Sequence, residues 1–261
     1  MNSAQERRRD MSKPYVIGVL GGMGTYATID LFERYAERFP AEKEWDRPRI
    51  IIDNYCTMPS RVRAYLYQER KEELVEDMTN AITELLHSGC SRVVLACNTS
   101  HLYLPDIYER IPDAKGKILN IIDLCVEQCR AESRTKVYLL ASEGTIDSGV
   151  YHERLDRYGI QCLAPSKQDF SSLRECIEAV KCQDYNVRVN DLFCSLMNNA
   201  SKLHADAVLL GCTELPILYN RLKDQIDKDV PVYDPIDLAL DFMYREYQKN
   251  ENKNRKGKFN E

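Results

Sequence analysis

Short apolar runs alternate with longer amphipathic stretches along most of the chain. The short runs are rich in Val, Ile and Leu, and the stretches between them place apolar residues at helical spacing. Because strands that alternate with helices form parallel βαβ units with right-handed crossovers, we expect an α/β fold. The predicted strands are Tyr15–Leu20, Arg49–Asp53, Arg92–Ala96, Lys117–Asn120, Lys136–Leu140, Asp206–Leu210 and Val230–Tyr233.

The chain contains the same plan twice. Three local matches follow one another in the same order, and each has its partner 114–120 residues later. This agreement in order and offset indicates a duplicated α/β half with a pseudo-twofold axis. The matching pairs are Gly24-Thr25 with Gly144-Thr145, Ala96-Cys97 with Gly211-Cys212, and Asn120–Leu124 with Asp234–Leu238.

The repeat and the length of 261 residues predict two α/β domains with parallel sheets and an active site in the cleft between them. We expect residues 15–116 and 219–247 to form the first domain and residues 117–218 to form the second. The last segment should return to the first domain, because Asp234–Leu238 repeats the segment that opens the second half. The polar ends, residues 1–14 and 248–261, are expected to be disordered tails.

The composition narrows the class of function. A net charge of −5 and a hydrophobic fraction of 44% are typical of a soluble protein and argue against a nucleic-acid partner. No apolar run reaches the roughly 20 residues of a membrane span, and the start lacks the apolar core of a signal peptide, so we expect a cytoplasmic protein. The 10 cysteines are then free thiols, and since no CxxC pair occurs we expect no metal site.

Two cysteines differ from the rest. A cysteine in an apolar pattern is usually a small buried hydrophobe, but Cys97 and Cys212 occupy repeat-equivalent ends of predicted strands, each before a polar turn. Ligands of open parallel sheets bind beyond the carboxyl ends of the strands. If the halves face each other about the pseudo-twofold axis, the two thiols approach one cleft from opposite sides. Inversion at a carbon needs this arrangement, with a base on one face and an acid on the other.

The residues that follow the cysteines suit an anionic ligand. A thiol has a pKa near ~8.5 that its surroundings can tune, so it serves as either acid or base. Asn98, Thr99 and Thr213 carry short polar side chains in turns with exposed backbone N–H groups. Such groups can hold a carboxylate and stabilise a carbanion. His101 is expected to support the turn after Cys97.

Two motifs surround these cysteines, A-C-N-T-S-H at residues 96–101 and L-G-C-T-E-L-P at residues 210–216. Both resemble the active-site motifs of the aspartate/glutamate racemase family. The glycine-rich residues 21–28, the P-x-R segment within residues 58–61 and residues 144–151 are similar to segments of its aspartate racemase branch. The resemblance extends from about Tyr15 to Met243.

The resemblance implies a cofactor-independent racemase, an isomerase that interconverts L- and D-aspartate, or the enantiomers of glutamate. Cys97 and Cys212 would transfer the proton on Cα without pyridoxal phosphate or a metal. Arg61 and Lys181 match cations that would pair with the second carboxylate of an acidic amino acid. Family members are often homodimers, so a homodimer is expected. The residues expected to bind the substrate are Met23, Gly24, Arg61, Asn98, Thr99, Ser142, Thr145, Lys181 and Thr213.

Departures from the family pattern and other interpretations leave the substrate open. Ser142-Glu143 stands where aspartate racemases more often have threonine and a variable residue, so an extra carboxylate lies near the predicted cleft. Other isomerases of the superfamily use one or two cysteines on this fold. Gly22-x-Gly24-x-x-Ala27 with Asp53 also fits a dinucleotide-binding unit, which would indicate a NAD-dependent oxidoreductase. A non-catalytic amino-acid-binding module is a further alternative.

Overall fold

The chain forms two parallel sheets, which confirms the predicted α/β class. The computed structural model describes residues 14–226 and 230–258. The predicted strands all lie close to their expected positions, because continuous apolar runs mark parallel strands that are covered on both faces. The strands are β1 (Val16–Gly21), β2 (Arg49–Asn54), β3 (Arg92–Leu95), β4 (Ile118–Leu119), β5 (Lys136–Ala141), β6 (Gln161–Leu163), β7 (Ala207–Gly211) and β8 (Val232–Tyr233).

Helices connect the strands and cover both sheets. They are α1 (Thr25–Arg38), α2 (Arg61–Tyr67), α3 (Lys71–His87), α4 (Leu104–Arg110), α5 (Ile121–Ala131), α6 (Glu143–Asp147), α7 (Val150–Asp156), α8 (Phe170–Cys182), α9 (Val187–Lys202), α10 (Leu215–Leu222) and α11 (Pro235–Lys258). Ser60, Asn120 and Asn186 are the N-caps of α2, α5 and α9, and each accepts a hydrogen bond from a first-turn backbone N–H. These caps satisfy donors that the helices leave free.

The two sheets share one plan. The first has the strand order β2-β1-β3-β4 and the second has the order β6-β5-β7-β8, so β1 corresponds to β5 and β3 to β7. The topology therefore repeats in the same way as the sequence. The strand β6 is absent from the sequence prediction, because it has only 3 residues, begins with the exposed Gln161 and lies at a sheet edge. Such a strand lacks the continuous apolar run of a buried one.

Each half contributes one helix to the other half. The helix α5 follows β4 of the first sheet, yet its Ile122 and Cys125 pack in a core of the second sheet. The helix α11 follows β8 of the second sheet, and its Ile236 and Leu240 pack in a core of the first sheet. The chain therefore crosses between the halves after β4 and again after β8.

These crossings lie at other positions than the predicted domain boundaries. The sequence prediction gave residues 117–120 to the second domain, but Ile118–Leu119 pair with β3 of the first sheet. It gave the segment from Tyr219 onward to the first domain, but β8 pairs with β7, and Leu222 packs in a core of the second sheet. The repeated segments Asn120–Leu124 and Asp234–Leu238 lead into the crossing helices and start directly after β4 and β8 end. We propose boundaries near residues 120 and 234.

The prediction of a disordered C-terminal tail over residues 248–261 is wrong for most of its length, because α11 continues to Lys258. Its first turns are packed on the first sheet, and an existing helix is extended at little cost because no new nucleus has to form. Residues 1–13 and 259–261, which the sequence also assigned to tails, lie outside the described residues. Within residues 14–226 and 230–258, no helix is both long and apolar enough to cross a membrane.

Candidate active site

The two cysteines singled out by the sequence line one cavity. Cys97 follows β3 and Cys212 follows β7, so both lie at the carboxyl ends of inner strands. The cavity has a volume of about 70 Å³, and both cysteines are half-buried. Equivalent strands of the two sheets thus bring two thiols to a shared cleft, one from each half.

The turn after Cys97 is fixed through its backbone. The Ser100 hydroxyl donates a hydrogen bond to the Cys97 carbonyl at 2.6 Å, and Nδ1 of His101 donates to the same oxygen at 2.9 Å. Burial lowers the pKa of His101, which keeps the ring neutral, and Nε2 accepts from the Ile121 backbone N–H at 3.4 Å. His101 therefore holds the Cys97 turn in place from outside the cavity lining.

Three hydroxyls meet across the cleft beside Cys97. Oγ1 of Thr99 lies 3.0 Å from Oγ of Ser142 and 2.9 Å from Oγ1 of Thr145, which are 3.1 Å from each other. Thr99 belongs to the first half, whereas Ser142 and Thr145 belong to the start of α6 in the second half. Because hydroxyl protons can reorient, this cluster can donate to a carboxylate placed in the cavity.

Asn98 presents a free amide donor. Its Oδ1 accepts a hydrogen bond from the Tyr151 hydroxyl at 2.6 Å, which fixes the amide orientation. Burial raises the pKa of Tyr151, so this hydroxyl remains a donor. Nδ2 of Asn98 is buried and has no hydrogen-bond partner among the described residues. A buried donor without a partner costs about 1–3 kcal/mol, so an acceptor on a ligand would be stabilised here.

Cys212 has a carboxylate neighbour. Its Sγ–H donates a hydrogen bond to Oε2 of Glu214 at 3.0 Å. Burial raises the pKa of Cys212 well above its ordinary value, and the negative charge of Glu214 raises it further, while Lys181 opposes the effect. Cys212 therefore keeps its proton at neutral pH and is suited to act as an acid.

Thr213 ties the two cysteine turns together. Its hydroxyl donates a hydrogen bond to the carbonyl of Ala96, the residue before Cys97, at 3.2 Å. This bond joins the end of β7 to the end of β3 and so helps to fix the position of one thiol relative to the other. Thr213 also lines the cavity, as the sequence predicts.

Arg61 lines the cavity but has partners of its own. Its Nη1 donates to the Pro59 carbonyl at 3.0 Å, and its Nη2 donates to the Met23 carbonyl at 2.8 Å. These bonds hold the start of α2 against the loop that precedes α1. Nε of Arg61 is buried and, within the part of the chain that the structure describes, has no acceptor. This nitrogen can still bind an anion.

Lys181, near the end of α8, lines the same cavity and forms an ion pair with Glu178 at 2.8 Å. Burial lowers the pKa of Lys181, but the hydrogen bond to Glu178 and the charge of Glu214 outweigh burial, and the net shift is upward. Lys181 therefore remains a cation. Together with Arg61 it gives the cavity a positively charged side.

Most of the predicted site residues meet in this cavity. Gly24 and Thr145 lie just behind its lining, where Gly24 faces the carboxylate of Glu214 and Thr145 contacts the hydroxyl of Thr99. Glu214 also lines the cavity, although sequence reasoning assigned it no role; a charged residue inside the second cysteine motif was the available signal. The predicted residues in the lining are Met23, Arg61, Cys97, Asn98, Thr99, Ser142, Lys181, Cys212 and Thr213.

A larger cavity of about 400 Å³ adjoins the cysteine cavity and shares Ser142 and Lys181 with it. Glu143, the extra carboxylate noted in the sequence, lines this outer cavity and forms an ion pair with Arg174. Its charge is therefore compensated, and it lies outside the cysteine cavity. Among the described residues, no group of three or more His, Cys, Asp or Glu side chains is placed to hold a metal ion.

The glycine loop before α1 is closed to a dinucleotide. Gly22 has a φ of 77°, and a Cβ on it would clash with the backbone of Tyr55. A Cβ on Gly24 would clash with Oε1 of Glu214. A pyrophosphate at the start of α1 would therefore meet a buried carboxylate in place of open backbone N–H groups. These contacts argue against the NAD-dependent oxidoreductase alternative.

Sequence comparison relates the chain to racemases. A profile of the Asp/Glu/hydantoin racemase family matches residues 20–243. The broad specificity amino-acid racemase RacX of Bacillus subtilis is 26% identical over 84% of this chain and 92% of its own length. A glutamate racemase of Pseudomonas paraeruginosa is 29% identical over 64% of this chain and 62% of its own length.

Structure comparison gives the same relation. The aspartate racemase of Picrophilus torridus superposes with a TM-score of 0.75 and 26% identity, covering 90% of this chain and 94% of that one. A glutamate racemase of Francisella tularensis, in complex with D-glutamate, has a TM-score of 0.61 and 17% identity over 92% of this chain and 83% of that one. The second match shows likeness of fold alone.

Proposed function

This chain belongs to the Asp/Glu/hydantoin racemase family, and on that premise we propose that it interconverts L- and D-aspartate without a cofactor, by proton transfer between Cys97 and Cys212. The observation that carries the proposal is the placement of two thiols, from equivalent strands, on one cavity. A single thiol can remove a proton from Cα, but a second group must deliver one to the opposite face.

The reaction starts from an asymmetric resting state. Because Cys212 keeps its proton, it is the acid, and Cys97 is the base. Cys97 acts as the thiolate: the Cα–H bond breaks, its proton joins the Cys97 sulfur, and the electron pair stays on Cα. That pair then takes the proton of Cys212 from the opposite face, which inverts the carbon and leaves Cys212 as the thiolate. The reverse reaction uses the same two groups in exchanged roles.

Donors in the cleft support this chemistry. Nδ2 of Asn98 and the hydroxyls of Thr99 and Ser142 can bind the α-carboxylate of the substrate. When Cα loses its proton, negative charge spreads onto this carboxylate, so fixed donors stabilise the carbanion more than the ground state. Exclusion of water from a small cavity strengthens these interactions.

Aspartate is the proposed substrate because the cavity has a positively charged side. Nε of Arg61 has no acceptor among the described residues, and the Lys181 ammonium, which pairs with Glu178, has further donors for the second carboxylate of an acidic amino acid. The structural relative from Picrophilus torridus is named an aspartate racemase, which agrees with this choice. Glutamate is the nearest alternative, since it differs by one methylene group.

A broader substrate range is the second candidate. The relative from Bacillus subtilis is named a broad specificity racemase. The outer cavity of about 400 Å³ offers space for a side chain longer than that of aspartate, and Val62, Leu66 and Phe170 give it an apolar wall. An uncharged side chain of moderate length fits such a wall better than a short carboxylate does.

A chiral assay of the purified protein tests both candidates. Each common L-amino acid is incubated without added cofactor, and the double variant Cys97→Ala/Cys212→Ala serves as the blank. We expect D-aspartate to form fastest. Racemisation of long neutral amino acids without aspartate would replace the first candidate with the second, and no racemisation at all would contradict the activity. The expected homodimer is checked on the same preparation by sedimentation velocity.

A further inference from the structure

Glu214 is a buried carboxylate of the site, and within the described parts of the chain one of its two oxygens has no hydrogen-bond donor. The residue lies at the start of α10 and is only 3% exposed. Oε2 accepts the hydrogen bond from the Cys212 thiol, but Oε1 is buried and has no donor among the residues described. Because a buried carboxylate oxygen without a donor is costly, the site is complete only when a ligand supplies one.

Gly24 leaves room for Oε1 of Glu214 because it has no side chain. A Cβ on Gly24 would clash with this oxygen, although its backbone, with a φ of −135°, suits any residue. A side chain on Gly24 would therefore displace the Glu214 carboxylate, whereas the backbone itself would accept one. The start of α1 lies at the same point.

We propose that Glu214 binds the α-ammonium group of the substrate through Oε1 and that the same carboxylate holds the proton on Cys212 until the substrate arrives. The proposal rests on the proposed function, since it concerns the same site. An ammonium group brings three donors and a positive charge, which match an unpaired carboxylate oxygen. Asn98 and the hydroxyl cluster beside Thr99 then take the α-carboxylate.

The two roles are coupled through charge. In the empty site, burial and the carboxylate raise the pKa of Cys212; the charged or titratable groups that face this thiol are Glu214, Cys97 and Lys181. A bound ammonium group neutralises Glu214, so the hydrogen bond from Sγ weakens and the proton is released more readily towards Cα. The thiolate that remains on Cys212 is no longer repelled by a bare negative charge.

A ligand comparison tests the ammonium site. The Cys97→Ala enzyme cannot racemise aspartate, so binding of L-aspartate and of succinate, which lacks the amino group, can be compared by calorimetry. We expect L-aspartate to bind at least about tenfold more tightly, the usual effect of a charge-assisted hydrogen bond. Adding Glu214→Gln should remove this preference and leave the affinity for succinate within about threefold.

The matched control is Glu178→Gln in the same background. Glu178 is a carboxylate that lines the outer cavity and pairs with Lys181, but it does not line the cysteine cavity. The preference for L-aspartate over succinate should survive this change. If Glu214→Gln prevents folding, Glu214→Asp keeps the carboxylate on a shorter side chain and should keep a reduced preference.

A thiol measurement tests the second role without any substrate. Alkylation of Cys212 by iodoacetamide is followed by mass spectrometry across pH in the Cys97→Ala enzyme, with the exposed Cys56 and Cys182 as internal references. Glu214→Gln should lower the midpoint of Cys212 alkylation by about one pH unit or more, because the negative charge is gone. The midpoints of the reference cysteines should not move.

The outcomes are distinguishable. A preference for L-aspartate that persists in Glu214→Gln would overturn the ammonium site, and an unchanged alkylation midpoint would overturn the proton-holding role. If neither L-aspartate nor succinate binds the Cys97→Ala enzyme, the proposed substrate is wrong. The alkylation profile then decides whether Glu214 controls Cys212.

Discussion

Each half of the molecule contributes one half-site, a cysteine and the two residues after it, at the end of an equivalent strand. In both half-sites, the first residue after the cysteine forms a hydrogen bond to the other half. Asn98 follows Cys97 and accepts a hydrogen bond from Tyr151 of the second half. Thr213 follows Cys212 and donates one to Ala96 of the first half. Each of these residues reaches across the cleft, so the duplication has preserved the way in which the halves are joined.

The second residue after each cysteine separates the half-sites. Thr99 is a neutral hydroxyl in a cluster with Ser142 and Thr145, whereas Glu214 is a carboxylate that accepts the Cys212 proton in a hydrogen bond. Two thiols in identical surroundings would have the same tendency to ionise. In the proposed mechanism, this difference gives the pair a prepared acid on one side. The two halves thus supply equivalent positions, and the second residue after each cysteine distinguishes their proposed roles.

The largest expected effect comes from removing either thiol. Cys97→Ala and Cys212→Ala should each lower racemisation by a factor on the order of 10⁴ or more, because an acid and a base that act as a unit fail together. The fold should remain intact, as shown by circular dichroism. Cys182→Ala, which changes an exposed cysteine near the end of α8, is the matched control and should keep full activity. Near wild-type turnover in either folded variant would break the two-thiol comparison.

The next effect concerns the charged side of the cavity. Lys181→Leu should lower kcat/KM for aspartate by about 10- to 100-fold, the value of a charge-assisted hydrogen bond, and change any activity on alanine little. The matched control is Arg63→Leu, an exposed cation of α2 that lines the outer cavity and pairs with Glu69. It should affect neither substrate. Equal losses for aspartate and alanine in Lys181→Leu would remove this residue from substrate recognition.

Smaller effects are expected for the two threonines, on substrate binding for Thr99 and on stability for Thr213. Thr99→Val breaks the hydroxyl cluster, so KM should rise by roughly tenfold while the free energy of unfolding changes little. Thr213→Val leaves the Ala96 carbonyl without its donor and should lower the free energy of unfolding by about 1–2 kcal/mol. Urea denaturation and steady-state kinetics on both variants check the assignment. Effects of the opposite kind would mean that the two threonines have been assigned the wrong roles.

The smallest expected effect is a pH dependence of stability from His101. Burial lowers the pKa of His101 from its usual 6.5. Just below pH 6.5, this histidine is therefore protonated in the unfolded chain and still neutral in the folded chain. This contribution to stability is present above pH 6.5 and is lost as the pH falls below it. The difference in free energy of unfolding between wild type and His101→Gln should therefore shrink from pH 7.5 to pH 5. Parallel stability curves would show that His101 does not titrate between the two states.

The sequence sufficed for the α/β architecture and for the placement of Cys97 and Cys212 on one cleft. Buried parallel strands leave continuous apolar runs, and the internal repeat places both cysteines at equivalent strand ends. The points where the chain crosses between the halves were harder to predict from the sequence. The strands β4 and β8 have only 2 residues each and run directly into the helices that follow. Strand pairing, which decides where a domain ends, leaves no local signal in so short a run.

The burial of Glu214 was not predictable from the sequence. A glutamate at the start of a helix is ordinarily solvated, but Glu214 is buried and its Oε1 lies against Gly24, at the start of α1. Arg61 differs in the opposite way. Its motif predicted a contact with the substrate, and the structure shows that it also donates hydrogen bonds to two backbone carbonyls. Contacts with residues distant in sequence, Gly24 for Glu214 and Met23 for Arg61, distinguish both cases from what their motifs predict.

The most direct test of the account is the isotope content of both enantiomers when L-aspartate reacts in deuterium oxide. One thiol removes the Cα proton, and a deuterated thiol on the opposite face delivers the new atom. At low conversion, mass spectrometry of the separated enantiomers should find deuterium at Cα of D-aspartate and protium in the remaining L-aspartate. Substantial protium in the early D-aspartate, or deuterium in the recovered L-aspartate, would contradict transfer between Cys97 and Cys212.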